Sequence, residues 1–245
     1  MKSGIYLAFF IVLLYSSCSE QQYTVKGRST QSVLDGEYAY MSAMYGIKSP
    51  TIDSCRIVHG RFEMSGPIDS VQCVVLSMGD NSIPMVMETG EVDIRFQNSA
   101  IEISGTPLND KFYQFLRSRD SLMLIRSDIH EHYNDMLRRN QSYEDARSYL
   151  STHLSLNNAE MDSLEYIFVS ENFTNVLGVT WFLQMGEKAS MRTGYYTSTP
   201  IMEALYNSAP SEFRENTEIK GFLNHCKSKH KSSEYKMRFN IFRQY

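Results

Sequence analysis

The sequence predicts an α+β chain, an N-terminal antiparallel β-sandwich or barrel followed by a C-terminal helical region. Three observations carry this. From about Tyr23 to Ser104, short apolar runs alternate with period two between turn residues, the pattern of half-buried strands. Beyond Pro107, apolar residues recur at helical spacing instead. The charge divides at the same place: residues 18–106 carry 6 Lys/Arg against 11 Asp/Glu, and residues 107–245 carry 17 of each.

The first element is an address rather than a fold. Lys2 supplies a short positive segment, and Ile5–Tyr15 (IYLAFFIVLLY) is apolar without interruption. A membrane-spanning helix needs ~20 apolar residues, so this run fits the hydrophobic region of a signal peptide. Ser16 and Ser17 are small, and Cys18 follows them. A cysteine so placed resembles the lipobox of bacterial lipoproteins. The resemblance implies cleavage before Cys18 and acylation of its thiol, making residues 1–17 a lipoprotein signal peptide and Cys18 the lipid attachment site. Tyr15 departs from the leucine preferred in that motif, and an ordinary secretory leader with a coincidental cysteine is the alternative. Acyl chains contribute ~0.8 kcal/mol per buried CH₂, and two or three of them anchor a protein without a span. Residues 18–22 then form a polar tether to the membrane. Ser-Glu-Gln-Gln follows Cys18 without the Asp that retains many lipoproteins in the inner membrane, which favours the outer membrane of a Gram-negative envelope.

The β-sandwich domain is expected over residues 23–106. Eight strand-like runs follow one another: YTVKG, EYAYMSAMY, IDSCRIV, RFEMS, VQCVVLSM, IPMVME, EVDIRF and AIEIS. His59-Gly60, Gly66-Pro67, Gly79-Asp80-Asn81 and Thr89-Gly90 separate several of them. In EVDIRF, Val92, Ile94 and Phe96 face one way while Asp93 and Arg95 face the other, as in a strand with one buried side.

The helical region is expected over residues 107–232. Phe112, Phe115, Leu116, Leu122, Ile125, Ile129, Tyr133, Met136 and Leu137 form one apolar stripe on a long amphipathic helix. Ser142 opens a second helix, with Asp145 three residues on in a capping-box-like start. Asn158–Val169 and Phe173–Met185 read as two more. The stretch from Gly186 to Pro200 is rich in Gly, Ser and Thr, and helical patterns resume near Ile201 and over Ser211–Lys229. Residues 233–245 are a basic aromatic tail. It reads as an edge strand, as a surface that docks on anionic lipid or a partner, or as a linker to a further module.

Composition and motifs exclude several chemistries. A formal net charge of −4 and a pI near 5.9 argue against nucleic acid as a partner. No CxxC occurs, so Cys55, Cys73 and Cys226 are thiols without a redox motif. Cys55 and Cys73 would pair only if their strands are neighbours in matched register; otherwise both are small buried hydrophobes. His130, Glu131 and His132 look metal-like, but residues i and i+2 of a helix point apart. His132 with Asp128 offers two ligands only, and Cys226, His225 and His230 would need another from elsewhere. GxSxG, P-loop and GxGxxG motifs are absent. The pairs Glu144–Asp145 and Glu160–Asp162 are expected in first turns of helices, where acids meet the dipole favourably. Asp53 and Ser54 are expected to cap backbone amides, and Gly60 to form a turn with φ > 0. No catalytic residue, cofactor or metal ligand is assigned.

The run Ile52–Gly66 (IDSCRIVHGRFEMSG) resembles a family hairpin of the form "iDSa.v.nGkF.F.G". Tyr23, Val25 and Gly27 precede it, then Asp35, Gly36 and Tyr38; Met87–Ile94 (METGEVDI) and Ile103–Asp110 (ISGTPLND) follow. Together these resemble the N-terminal domain of unknown function of thiol:disulfide interchange lipoproteins of the TlpA and AhpC/TSA type. Phe168–Gly178 (FVSENFTNVLG) is similar to the start of the helical region in the same proteins. The family carries a C-terminal thioredoxin-fold module with a W-C-x-x-C site. Here the chain reaches Tyr245 where that module would begin, and Trp181 has no neighbouring cysteine in sequence. The resemblance therefore implies fold and envelope location without redox catalysis. The expected function is a lipid-anchored, non-enzymatic binding or scaffold module. The alternative is an accessory partner of a periplasmic thiol:disulfide exchange system, with a thioredoxin-like protein as partner.

Overall fold

A computed structural model of the chain describes residues 21–29, 34–44, 50–97 and 100–228. Among the described residues, eight strands precede six helices. β1 (Gln22–Ser29), β4 (Arg61–Pro67), β7 (Gly90–Gln97) and β8 (Ala100–Ser104) make one sheet in the order β4-β1-β7-β8; β2 (Tyr38–Ala43), β3 (Thr51–Arg56), β5 (Gln72–Met78) and β6 (Asn81–Met87) make the other in the order β3-β2-β5-β6. The β part is therefore a sandwich of two sheets rather than a barrel. One pairing departs from the antiparallel expectation: β1 and β7 run parallel, Val25 opposite Val92. The chain leaves the first sheet after β1 and re-enters it at β4. It crosses to the second sheet again before returning as β7 alongside its starting strand.

Alternation places the inner face. Tyr23 and Val25 of β1, Phe62 and Met64 of β4 and Val92, Ile94 and Phe96 of β7 meet Met41, Val74, Leu76, Ile83 and Met85 from the other sheet. The β3–β4 hairpin joins the two sheets through Val58–Arg61. His59 (φ 52) and Gly60 (φ 69) both adopt left-handed backbone, as a two-residue hairpin turn requires. Asp35 Oδ1 accepts the His59 amide at 2.5 Å.

β5 and β6 are not half-buried strands. Val74, Leu76 and Met78 face the sandwich, while Cys73 and Val75, with Val86 of β6, face a second core formed with the helices. Burial on both faces explains the near-continuous apolar runs VQCVVLSM and IPMVM.

The helices are α1 (Pro107–Arg138), α2 (Tyr143–Glu171), α3 (Val176–Thr193), α4 (Pro200–Ser208), α5 (Ser211–Glu215) and α6 (Thr217–Ser228). α1 and α2 form an antiparallel hairpin. Phe115 stacks on Phe168 at 3.8 Å, the Asn157 amide donates to the Leu122 carbonyl, and the His132 ring lies 4.6 Å from Tyr149. The turn between them passes through Asn140 at φ 54. In the predicted stripe, Phe112, Phe115 and Ile129 are buried, but Ile125 is 43% exposed.

Four local expectations fail for identifiable reasons. Ser142 makes no side-chain cap; Ala146, fully buried, anchors that end of α2, and Glu144 and Asp145 complement its dipole. The two helices expected within 143–169 are one, because buried Asn157 and Met161 continue the face that meets α1. The Gly/Ser/Thr-rich stretch stays helical as far as Thr193 and ends at Gly194, φ 77. Gly186 is a packing position there, since a Cβ on it would lie 2.3 Å from the Phe222 ring. The expected helix over Ser211–Lys229 divides at Asn216, whose side chain caps α6 by accepting from Glu218 and Ile219 amides.

Candidate functional site

The expected signal peptide, the expected attachment residue Cys18, most of the expected tether, His230 and residues 233–245 of the expected basic tail lie outside the described residues. Cys55, Cys73 and Cys226 are free thiols. Cys55 and Cys73 do not pair, because β2 lies between their strands. They also belong to different cores: Cys55 packs against the sandwich and Cys73 lies among the helices. Burial pushes the Cys73 thiol up to about 12, despite a hydrogen bond with Thr180. Burial likewise raises Cys226 to about 11, and Cys55 is raised for the same reason.

His130, Glu131, His132 and Asp128 are exposed on α1, and the His132 ring lies tilted against Tyr149, whose ring centroid is in turn 3.9 Å from that of His153. Among the described residues, no three His, Cys, Asp or Glu side chains converge as metal ligands. Asp162 and Glu160 are in the middle of α2, not in a first turn.

The sequence motifs are joints of the fold. The Tyr23 hydroxyl on β1 donates to Asp53 Oδ2 on β3 at 2.8 Å, tying one sheet to the other, and Asp53 Oδ1 accepts the Ser54 amide. Glu88, from the METGEVDI run, caps α1 from a distance: Oε1 accepts the amides of Leu108 (2.9 Å) and Asn109 (3.1 Å). Thr106, the residue before the helix, instead accepts the Asn109 side-chain amide. Buried Asn109 bonds both backbone groups of Val86, accepting N–H at 2.8 Å and donating to C=O at 2.7 Å.

Two clefts of about 460 Å³ each open on the helical region. The first lies between β5 and α3, with Cys73, Thr180 and Phe213 among its walls and Glu212 and Glu218 at the helix ends. Its lining holds the high-pKa Cys73 thiol and no histidine.

The second cleft gathers charge from three helices. Arg119 and Arg126 come from α1, Asp162 and Glu165 from α2, and Lys188 and Arg192 from α3. Thr199 and Pro200, where α4 begins, close one end. Arg119 is 6% exposed and lies 5.7 Å from the Trp181 ring, a cation–π contact. Its Nε and Nη1 groups, and Nε of Arg126, find no hydrogen-bond acceptor among the described residues. Asp120 Oδ1 stands 4.0 Å from Arg119 Nη1, beyond hydrogen-bond reach. Arg126 Nη2 is held by Asn158, and Lys188 Nζ is 3.8 Å from Glu165 Oε1. Burial raises the Glu165 carboxyl, against the pull of Lys188 and Arg119. Burial also lowers Lys188, and the nearby Arg119, Arg192 and Arg126 charges add to that fall while Glu165 opposes it.

Sequence reasoning missed this cleft. Its one local sign is that Arg119 and Arg126 follow Phe112 at intervals of seven, so both stand within the apolar stripe of α1.

A family profile described as a domain of unknown function (DUF4369) matches residues 23–112, from β1 to the first turns of α1. No curated protein matches the chain. Among solved structures, the chain is similar to a "putative cell adhesion protein" from Bacteroides ovatus ATCC 8483. The identity is 12% and the TM-score 0.24, over 37% of this chain and 44% of that one. The chain spans less than half the length of that protein.

Proposed function

We propose that this chain is a lipid-anchored cell-envelope module that binds a ligand rather than transforming one. The observation that carries the binding reading is the second cleft. It collects four cationic side chains from two helices, a set suited to holding an anion, and its lining has no Ser, Cys or His. The leader and Cys18 support the anchoring, and the match of residues 23–112 to a domain of unknown function supports the resemblance to the N-terminal part of thiol:disulfide interchange lipoproteins. The absence of Asp after Cys18 supports an outer-membrane rather than inner-membrane location.

An accessory role in periplasmic thiol:disulfide exchange would need a thiol of low pKa. Cys55, Cys73 and Cys226 are all shifted the other way, which counts against that role. Metabolic labelling with palmitate tests the anchoring. Label should enter the wild-type protein and be lost from Cys18→Ala, with the variant released from the membrane fraction. Equal labelling of both would end the lipoprotein reading.

A further inference from the structure

We infer that the cleft between α1, α2, α3 and the start of α4 is a binding site for a small organic anion, a phosphorylated or carboxylated molecule that also carries hydroxyl groups. The inference rests on the binding reading above and names its ligand class. Two independent observations meet here. The first is the surplus of positive charge: Arg119, Arg126, Lys188 and Arg192 against Asp162 and Glu165. The second is Arg119 itself. A guanidinium at 6% exposure with two unmatched N–H groups is costly to keep in a folded protein.

Packing gives Arg119 the Trp181 face, and Asp120 Oδ1 stands 4.0 Å from Nη1; both offset the charge in part, but neither accepts a hydrogen bond from Nε or Nη1. An oxyanion matches that fork in geometry and charge. It also lowers the mutual repulsion of the four cations, and it meets the positive end of α4 at Pro200. The two carboxylates select among anions. Asp162 and Glu165 repel a bare multivalent ion but accept hydrogen bonds from hydroxyl groups beside the oxyanion. The volume, about 460 Å³, lies in the range of small-molecule sites.

Isothermal titration of the full-length protein in detergent tests this with four probes: glucose 6-phosphate, glucuronate, glucose and inorganic phosphate. Glucose 6-phosphate or glucuronate should bind, at least tenfold more tightly than glucose, and the better of the two identifies the oxyanion. Inorganic phosphate binding as tightly as glucose 6-phosphate would overturn the organic part of the inference. Arg119→Met, which keeps the apolar stem over Trp181, should weaken binding at least tenfold. Arg192→Gln changes an exposed residue and should weaken it about threefold or more even if Arg119→Met fails to fold. Failure of both organic anions to bind at 10 mM, or unchanged affinity in Arg192→Gln and in a folded Arg119→Met, overturns the site while leaving the anchoring reading standing. Hydrolysis of glucose 6-phosphate during the titration supports the site and overturns the non-enzymatic reading.

Discussion

Asn109 and Tyr113, one turn apart on α1, hydrogen-bond the edge strands of two different sheets. Asn109 takes both backbone groups of Val86 on β6, and the Tyr113 hydroxyl donates to the Ile101 carbonyl on β8 at 2.5 Å. β6 and β8 are each the last strand of their sheet. Exposed edges template unwanted pairing, so the first two turns of α1 cover part of one edge of each sheet. They also set where the rest of α1, and with it the cationic cleft, stands relative to the sandwich.

Asn109→Leu should therefore cost about 3 kcal/mol or more in urea unfolding, because it leaves a buried N–H and a buried C=O of Val86 unpaired. Tyr113→Phe removes one partly buried bond and should cost about 1 kcal/mol. Asn109→Asp keeps the acceptor for Val86 but sets a second carboxylate near Glu88, whose Oε1 lies 3.4 Å from the Asn109 side-chain nitrogen. Its destabilisation should be larger at pH 7 than at pH 4. A pH-independent loss would show that the repulsion is absent.

Glu187 makes stability fall with pH. The residue is 5% exposed on α3, and burial pushes its carboxyl up to about 8 from an ordinary value of 4.5. Between those values the folded chain holds the proton and the unfolded chain releases it. Raising the pH through this window favours unfolding, by at most about 1.4 kcal/mol per pH unit from this group. Above about pH 8 both states are ionised and the slope ends. Glu187→Gln should remove this slope. Its melting temperature relative to wild type should thus rise from pH 5 to pH 8, as followed by circular dichroism.

Gly27 is a packing position in β1. Phe62, its direct cross-strand partner, lies over it so closely that a Cβ would fall 1.8 Å from the ring. Gly27→Ala should cost about 2–3 kcal/mol by overpacking. Combining it with Phe62→Leu should cost less than the two single changes added together. A double-mutant cycle measures the coupling; additive losses would place the strain elsewhere.

The thiols should be slow. With native protein at pH 8, a maleimide reagent followed by mass-spectrometric mapping should leave Cys73 unmodified, because its thiol is buried and shifted to about 12. Half-buried Cys55 and Cys226 should label faster than Cys73 and more slowly than in urea. Rapid native labelling of Cys73 would mean that the β5–α3 cleft opens.

The legible part of this protein was local. Short apolar runs between turn residues located all eight strands; period-two alternation marked those buried on one side, while β5 and β6, buried on both, read as near-continuous apolar runs. Pro107 marked the start of α1, since proline suits the first turn of a helix. The turn at His59-Gly60 was readable from its residue types. Less was visible wherever two elements meet. The parallel β1–β7 pair, the separation of Cys55 from Cys73 by β2 and the helical Gly186 all depend on which surface packs on which. Glu88 and Asn109 were quoted within family-like runs, but nothing local ties a carboxylate after β6 to the amides of α1.

The sequence by itself determined the fold class and the order of the sheet and helical regions, because each is written in neighbouring residues. Only the tertiary structure decided that α1 hydrogen-bonds one edge strand of each sheet and that Arg119, Arg126, Lys188 and Arg192 share one cleft. Those four residues are spread over 74 positions. What joins them is the antiparallel packing of α1 on α2 and of α3 beneath both, a consequence of burying Phe112, Phe115, Phe168 and Trp181 together.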